Sequence, residues 1–297
     1  MGSRAALVTA FATIIVWSSA YSAARVGLRH FDPIVFSALR NVAAAVTLAP
    51  IALSLRVGLP ARGDRWKVFG SGVVGMTVYH SLLNVGLGVV ESASAALLIA
   101  LSPILVALMS MQYIGERLTS WGWIGLGAAF LGVVVVSLGQ GSGIRFGLSS
   151  LLVVLAAAAH AGYIVMTKKL TSIYRPVQVV TWAFWSAALT FIPVLFRAVA
   201  QLSAAPAEGY FAFVYLGVGA SALGFVLWAR ALAGAPASVV ASALYVTPPL
   251  SALIGWVWLD EQPTLWMLAG GMIILSAVFL VMRKGMAPTC PGPAVSA

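Results

Sequence analysis

The sequence predicts an all-α membrane protein of ten transmembrane helices, built as two inverted five-helix repeats around a central cavity, and three observations lead there. Hydrophobic residues make up 61% of the 297 positions and charged residues only 8%, with a mean hydropathy of +1.02. An ordinary soluble domain is nearer 25% charged, so this chain lacks the residues to cover a water-facing surface. Apolar runs of about 20 residues, the length that crosses a bilayer as a helix, recur through most of the chain. Landmark residues of the first half also return in the second at a constant offset.

Charged, Gly and Pro residues bound the runs and place the first five helices at about 4–24, 33–54, 67–88, 92–114 and 121–138. The second five fall at about 147–167, 177–197, 209–230, 236–258 and 264–282. Arg4 before the first run, with Ser22, Ala23 and Ala24 after it, resembles a secretory signal; its length and the many spans behind it indicate a retained helix. The expected units are a first repeat over 1–142, a second over 143–285 and a disordered tail over 286–297. That Pro-rich tail holds Cys290, the single cysteine, so the chain has no cysteine pair for a disulfide or a Cys-based metal site.

The net charge of +10 is spread through short connections rather than gathered into a patch, which argues against a nucleic-acid partner. Its meaning is topological, because cytoplasmic loops carry the Lys and Arg excess. An N-terminus inside puts Arg4, Arg56, Arg62, Arg65, Lys67, Arg117, Lys168, Lys169, Arg175, Arg230, Arg283 and Lys284 on the cytoplasmic side. Only Arg25, Arg29, Arg145 and Arg197 fall opposite, so both termini are expected in the cytoplasm.

A shift of 145 positions lays Ala96 on Ala241, Pro103 on Pro248, Glu116 on Glu261, Thr119 on Thr264, Trp121 on Trp266 and Gly125 on Gly270. A slightly smaller shift lays Arg25 on Lys168 and Pro33 on Pro176. Five helices per unit is an odd number, so the second unit must enter the membrane from the opposite face. Many secondary transporters are built this way.

Several motifs carry a family resemblance: Trp17-Ser18-Ser19 with Arg25 behind it, Arg40, Ser94-Ala95-Ala96 through Ser102-Pro103, and Gly115-Glu116-Arg117 echoed by Asp260-Glu261-Gln262. With these residues the chain resembles the EamA family of the drug/metabolite transporter superfamily over about 4–282. Within that family it looks most like bacterial exporters of aromatic and neutral amino acids. His160 departs from the pattern, standing where the second repeat often carries an aromatic residue that matches Trp17.

Candidate site residues come from polar and aromatic groups deep in the spans. Met76, Tyr79, His80, Leu83 and Asn84 form one face of the third helix. Polar groups in hydrocarbon are costly, so this face looks at a cavity or at neighbouring helices it hydrogen-bonds. Thr13, Trp17 and Tyr21 step along the first helix at i+4, and Ser238, Ser242 and Tyr245 make a comparable stripe on the ninth; both sets either grip a solute or pack. Arg40 sits two turns inside the second helix, where facing lipid costs roughly 2.5–3.5 kcal/mol, and it either braces the bundle or meets a substrate carboxylate. Pro103, Pro248 and Pro249 are read as mid-helix prolines whose freed carbonyls serve a solute or a gating bend, or simply fix a kink. Glu116 and Glu261, at loop ends, are assigned to capping.

Enzyme signatures are missing: there is no His-Glu-x-x-His helix, no Walker loop, and Gly219-Ala220-Ser221-Ala222 lacks the full nucleophile-elbow pattern. An intramembrane enzyme using His80 and His160 as acid and base would have neither a nucleophile nor a metal cluster beside them. Every acidic residue falls at a helix end or in a loop, so no buried carboxylate offers itself as a proton relay. Without a row of cations the spans do not suit phosphorylated solutes, and without an embedded acid they do not suit drug cations. The expectation, joined to the resemblance, is an inner-membrane exporter of small neutral or aromatic amino acids working by facilitated alternating access. The alternative is another small metabolite or a drug cation of the same superfamily. The expected partners are a small-molecule substrate and membrane lipid, with no cofactor, no metal and no nucleic acid; the oligomeric state stays open, with a monomer a sufficient unit.

Overall fold

The computed structural model describes residues 3–89, 95, 98–139, 148–250 and 264–286. Among these, ten helices are distinguished: α1 (Ser3–Gly27), α2 (Pro33–Ser54), α3 (Arg62–Leu87), α4 (Ser102–Tyr113), α5 (Ser120–Gly139), α6 (Leu148–Leu170), α7 (Pro176–Ala204), α8 (Ala207–Gly234), α9 (Ala237–Leu250) and α10 (Leu265–Lys284), with Ala95, Leu98 and Ile99 helical as well. All but α4 and α9 are long and apolar enough to cross a membrane. The spans expected at 92–114 and 236–258 run onto residues outside those described, as do Glu261, Cys290 and most of the tail. The tail's first residue, Met286, pairs its backbone with Leu118.

Helix starts follow the local chemistry. Asp32 caps α2, its Oδ1 accepting from the Ile34 N–H at 3.0 Å, and Pro33 follows in the first turn, where its missing N–H costs nothing. α7 runs to Ala204, past the end expected at Arg197. The guanidinium of Arg197 projects from the helix and meets Asp32 at 3.5 Å, so this charge marks the interfacial level rather than the helix end.

Two irregularities recur at the repeat offset. In α3, Val73–Val78 is π-helical and the Tyr79 N–H reaches the Val74 carbonyl five residues back. In α8, Leu216–Leu223 is π-helical and the Gly224 N–H reaches the Gly219 carbonyl. Both pairs differ by the 145 positions that relate Pro103 to Pro248. Each π segment inserts an extra residue into a turn and re-aims everything beyond it. The prolines behave similarly to one another. Pro103 opens α4 behind a tight turn in which the Leu101 N–H meets the Leu98 carbonyl, and so does not lie mid-helix. Pro248 follows the 3₁₀ turn Ala243–Val246. A proline with no N–H to give is accommodated where the regular ladder already restarts.

The helices join across the halves: α1 packs on α8 and α6 on α3, while α2 lies on α7 and α5 on α10. Glycines set the closest approaches, as small residues do in membrane bundles. A Cβ on Gly270 of α10 would stand 2.7 Å from the Gly132 carbonyl of α5, and one on Gly125 of α5 would stand 3.1 Å from the Ala277 carbonyl of α10. Gly72 faces the Ala183 carbonyl of α7 and Gly217 the Arg40 carbonyl of α2 in the same way, again 145 positions apart.

At one end of the bundle Glu116 accepts from the Ala237 N–H at 2.7 Å, the Ser238 N–H at 3.1 Å and the Ser238 hydroxyl at 2.9 Å, capping α9 from the loop after α4. The Lys168 ammonium donates to the Leu232 and Ala235 carbonyls at 2.7 and 2.8 Å, closing the end of α8. Capping is thus the role of Glu116, directed at a helix of the other half.

Candidate functional site

A cavity of about 60 Å3 lies where α1, α2, α3, α6, α8 and α9 converge. That is several times the roughly 10–15 Å3 one water needs. Its lining climbs α1 from Trp17 through Ala20 to Ala24 and α3 from Tyr79 and His80 through Leu83 and Asn84 to Leu87. It therefore extends toward the end at which α1 and α3 terminate, away from the end held by Glu116 and Lys168. Arg40, His160, Phe225, Thr247 and the pair Ile99 and Leu244, themselves 145 positions apart, complete the wall.

The aromatic part is built around Trp17. Its indole N–H donates to the Ala220 carbonyl at 2.8 Å, a carbonyl inside the π segment of α8. Its ring lies 5.0 Å from Phe225 and 5.1 Å from Trp228 between centroids and meets His160 edge-on at 6.0 Å. The Tyr79 ring stacks on the His160 imidazole at 4.6 Å and 16°. Trp17 and His160, related by the repeat, thus face each other across the middle of the protein. The imidazole that breaks the aromatic pattern still serves as a flat ring, and its Nδ1 is 3.3 Å from the Ser102 hydroxyl.

The polar part depends on α2. Arg40 is buried and donates through Nε and Nη2 to the Ser221 hydroxyl at 3.2 and 2.9 Å. One residue on, Asn41 donates through Nδ2 to the Ser37 carbonyl at 2.7 Å and turns its Oδ1 to the Nδ1 of His80 at 3.1 Å. Asn84 donates to the Ser37 hydroxyl at 2.8 Å, and that hydroxyl lies 2.8 Å from the Pro33 carbonyl it donates to. His80 Nε2, Asn84 Oδ1 and His160 Nε2 are buried without a hydrogen-bond partner among the described residues. Buried polar atoms usually find partners, and these three are carried by residues that line the cavity.

Trp17, Arg40, Tyr79, His80, Asn84 and His160, all anticipated from sequence, come together here. Tyr21 lies on α1, but its side chain is outside the described set. Ser242 and Tyr245 do not reach the cavity: the Ser242 hydroxyl bonds back to the Val239 carbonyl, and Tyr245 is packed among Leu126, Ala129 and Ile274 of α5 and α10. The 3₁₀ turn rotates the α9 stripe, so that Leu244 and Thr247 face inward instead. None of the three prolines lines the cavity. Sequence reasoning missed Ser37 and Asn41, although they stand at i and i+4 on an otherwise apolar helix, the very signal that revealed His80 and Asn84. It met Ser221 only as a failed nucleophile.

The described carboxylates all work at helix ends: Asp32 with Arg197, Asp64 with Lys67 at 2.7 Å, Glu208 with His30 at 2.8 Å, and Glu116 as a cap. No group of His, Cys, Asp and Glu among the described residues could hold a metal ion. What remains is a buried, aromatic and hydrogen-bonding chamber at the junction of two related halves. Helix length and composition together define a multi-pass helical membrane protein.

The chain belongs to the EamA-like transporter family, whose model matches twice, over residues 4–138 and 147–283. A protein of Streptantibioticus cattleyicolor, named a probable terminal-alkyne amino-acid exporter, is 34% identical over 273 residues, covering 92% of this chain and 91% of its own. A riboflavin transporter of Rhizobium johnstonii is 30% identical over 202 residues, covering 68% of this chain and 65% of its own. A solved crystal structure superposes with a TM-score of 0.75 at 23% identity, covering 94% of this chain and 98% of the other, which shows a shared fold.

Proposed function

We propose that the protein exports small neutral or aromatic amino acids across a bacterial inner membrane by alternating access, as ten helices in two inverted repeats with both termini in the cytoplasm. The observation that carries this is the make-up of the chamber. Its wall has aromatic faces from Trp17, Tyr79 and Phe225, one guanidinium from Arg40 and neutral hydrogen-bonding groups, with no carboxylate among the residues that line it. A compact zwitterion with an apolar side chain matches that wall: its carboxylate suits the planar fork of Arg40, and its side chain lies on the rings. The amino-acid exporter among the relatives supports the same class.

In this reading the end tied by Glu116 and Lys168 is the closed cytoplasmic side and the lining from Trp17 to Ala24 leads outward. Export requires those ties to loosen while the opposite end closes, one half rocking on the other about the α2–α7 and α5–α10 contacts. The described interior offers no carboxylate relay, which supports a facilitator rather than a proton-driven pump. The deciding experiment is counterflow in proteoliposomes against neutral amino acids, riboflavin, nucleosides, sugar phosphates and quaternary amines. Labelled phenylalanine or methionine should accumulate transiently and be competed by other neutral amino acids; exchange of riboflavin, phosphates or cations alone would overturn the substrate class. Single cysteines placed at Arg62 and Gly143 should be labelled from opposite faces; labelling of both from one face would refute the topology.

A further inference from the structure

The hydrogen-bond network leaves two unpaired atoms of the chamber with a determinate sense. The bonds that each group must make fix where its hydrogens lie. The Asn41 amide nitrogen faces a backbone carbonyl, that of Ser37, at 2.7 Å, so its Nδ2 is the donor and its Oδ1 an acceptor. The atom 3.1 Å from that Oδ1, His80 Nδ1, must then carry the hydrogen. In the neutral ring Nε2 is consequently a bare acceptor, and it is buried without a partner.

Ser37 fixes the sense of Asn84 in the same way. Its hydroxyl has carbonyls of Pro33 and His80 at 2.8 and 3.1 Å, and its hydrogen goes to one of them. It can only accept from Asn84, which fixes Nδ2 of Asn84 toward Ser37 and leaves Oδ1 as a second buried acceptor without a partner. His80 and Asn84 are one helical turn apart on α3, and side chains so spaced have Cβ atoms about 5–6 Å apart.

We infer that His80 Nε2 and Asn84 Oδ1 together receive the ammonium group of the transported solute, with Asn41 as the positioning residue that fixes the His80 tautomer. The inference rests on the amino-acid reading above and deepens it: the solute's carboxylate goes to Arg40 and two of the three N–H donors of its ammonium go to α3. Two acceptors side by side select for a primary ammonium. A quaternary amine or a keto acid leaves both unmet and an N-acetylated amino acid, with one N–H, leaves at least one; an unmet buried acceptor costs about as much as a lost charged hydrogen bond. Ser37 and Asn41 also explain why α2 carries polar residues in an apolar span: they orient a binding face that belongs to α3.

The test has two arms. Nitrogen NMR of the purified protein with labelled histidine should find His80 protonated at Nδ1 and bare at Nε2. Asn41→Leu should weaken that preference, with the Met76 carbonyl still beside the ring, and Asn41→Asp, which keeps an acceptor, should retain it. A His80 carrying its hydrogen at Nε2 overturns the inference whatever the protein transports. In counterflow of labelled phenylalanine, phenylalanine should compete at least about ten-fold better than N-acetylphenylalanine or phenylpyruvate. Asn84→Leu and Asn41→Leu should narrow that ratio, a change that a purely structural role, lowering flux for all competitors alike, would not produce. Equal competition in the unmodified protein, or an unchanged ratio in both variants, overturns the ammonium site. Failure of phenylalanine counterflow with selective exchange of another primary amine removes the amino-acid reading and supports the site.

Discussion

The seam between α5 and α10 offers a quantitative test of how this bundle holds together. Replacing Gly270 by Ala places a Cβ 2.7 Å from the Gly132 carbonyl oxygen, 2.6 Å from Val136 Cγ2 and 3.0 Å from the Val136 nitrogen. Carbon atoms in contact normally sit about 3.5–4.0 Å apart. The valine methyl can rotate away, but the α5 backbone cannot, so the helices must part by several tenths of an ångström along the seam. Overpacking of this kind costs about 1–3 kcal/mol, while Gly→Ala inside a helix returns up to about 1 kcal/mol. With about 1 kcal/mol returned, the net loss is up to about 2 kcal/mol, or a fall in Tm of up to roughly 8 °C by the scaling for domains of about 150–250 residues. Gly127 on α5 is the control, since a Cβ there meets nothing within 4 Å. Thermal unfolding in detergent should show Gly270→Ala melting lower and Gly127→Ala unchanged or higher. A Gly270→Ala protein as stable as the original would refute the close-packed seam.

Glu116→Ala leaves three donors at the start of α9 without their acceptor and should cost about 1–2 kcal/mol as a lost cap, read as a lower Tm; Glu116→Gln, which keeps one acceptor oxygen, should lose less. Trp17→Phe keeps the ring stack but strands the Ala220 carbonyl, so it should destabilise by about 0.5–1.5 kcal/mol and weaken aromatic competitors in counterflow less than Trp17→Ala does. With no carboxylate in the described interior, an imposed pH gradient should not drive substrate uphill in proteoliposomes; uphill transport lost on His80→Gln would replace the facilitator with a proton-coupled carrier.

Much of this protein was already determined by the order of its residues. Helix positions follow from apolar runs, because a bilayer requires about 20 such residues and rejects unpaired backbone groups; α2 begins at Pro33 and ends at Ser54, as the sequence predicts. The internal repeat is equally legible, and its offset of 145 recurs in the π bonds of Tyr79 and Gly224 and in the packing of Gly72 and Gly217. Periodicity also identified the face of His80 and Asn84, since polar groups inside a membrane must be turned from lipid. Tertiary structure decided which faces meet. A single 3₁₀ turn rotates α9, withdrawing Ser242 and Tyr245 and presenting Leu244 and Thr247; each 3₁₀ residue advances about 120° rather than about 100°, so this turn swings the stripe by roughly 80°, and no composition rule foresees it. Tertiary structure also joined Asn41 to His80 and Arg40 to Ser221, 39 and 181 positions apart. The sense of each hydrogen bond at the site, and with it the kind of solute group the site accepts, depends on partners that only the folded bundle brings together.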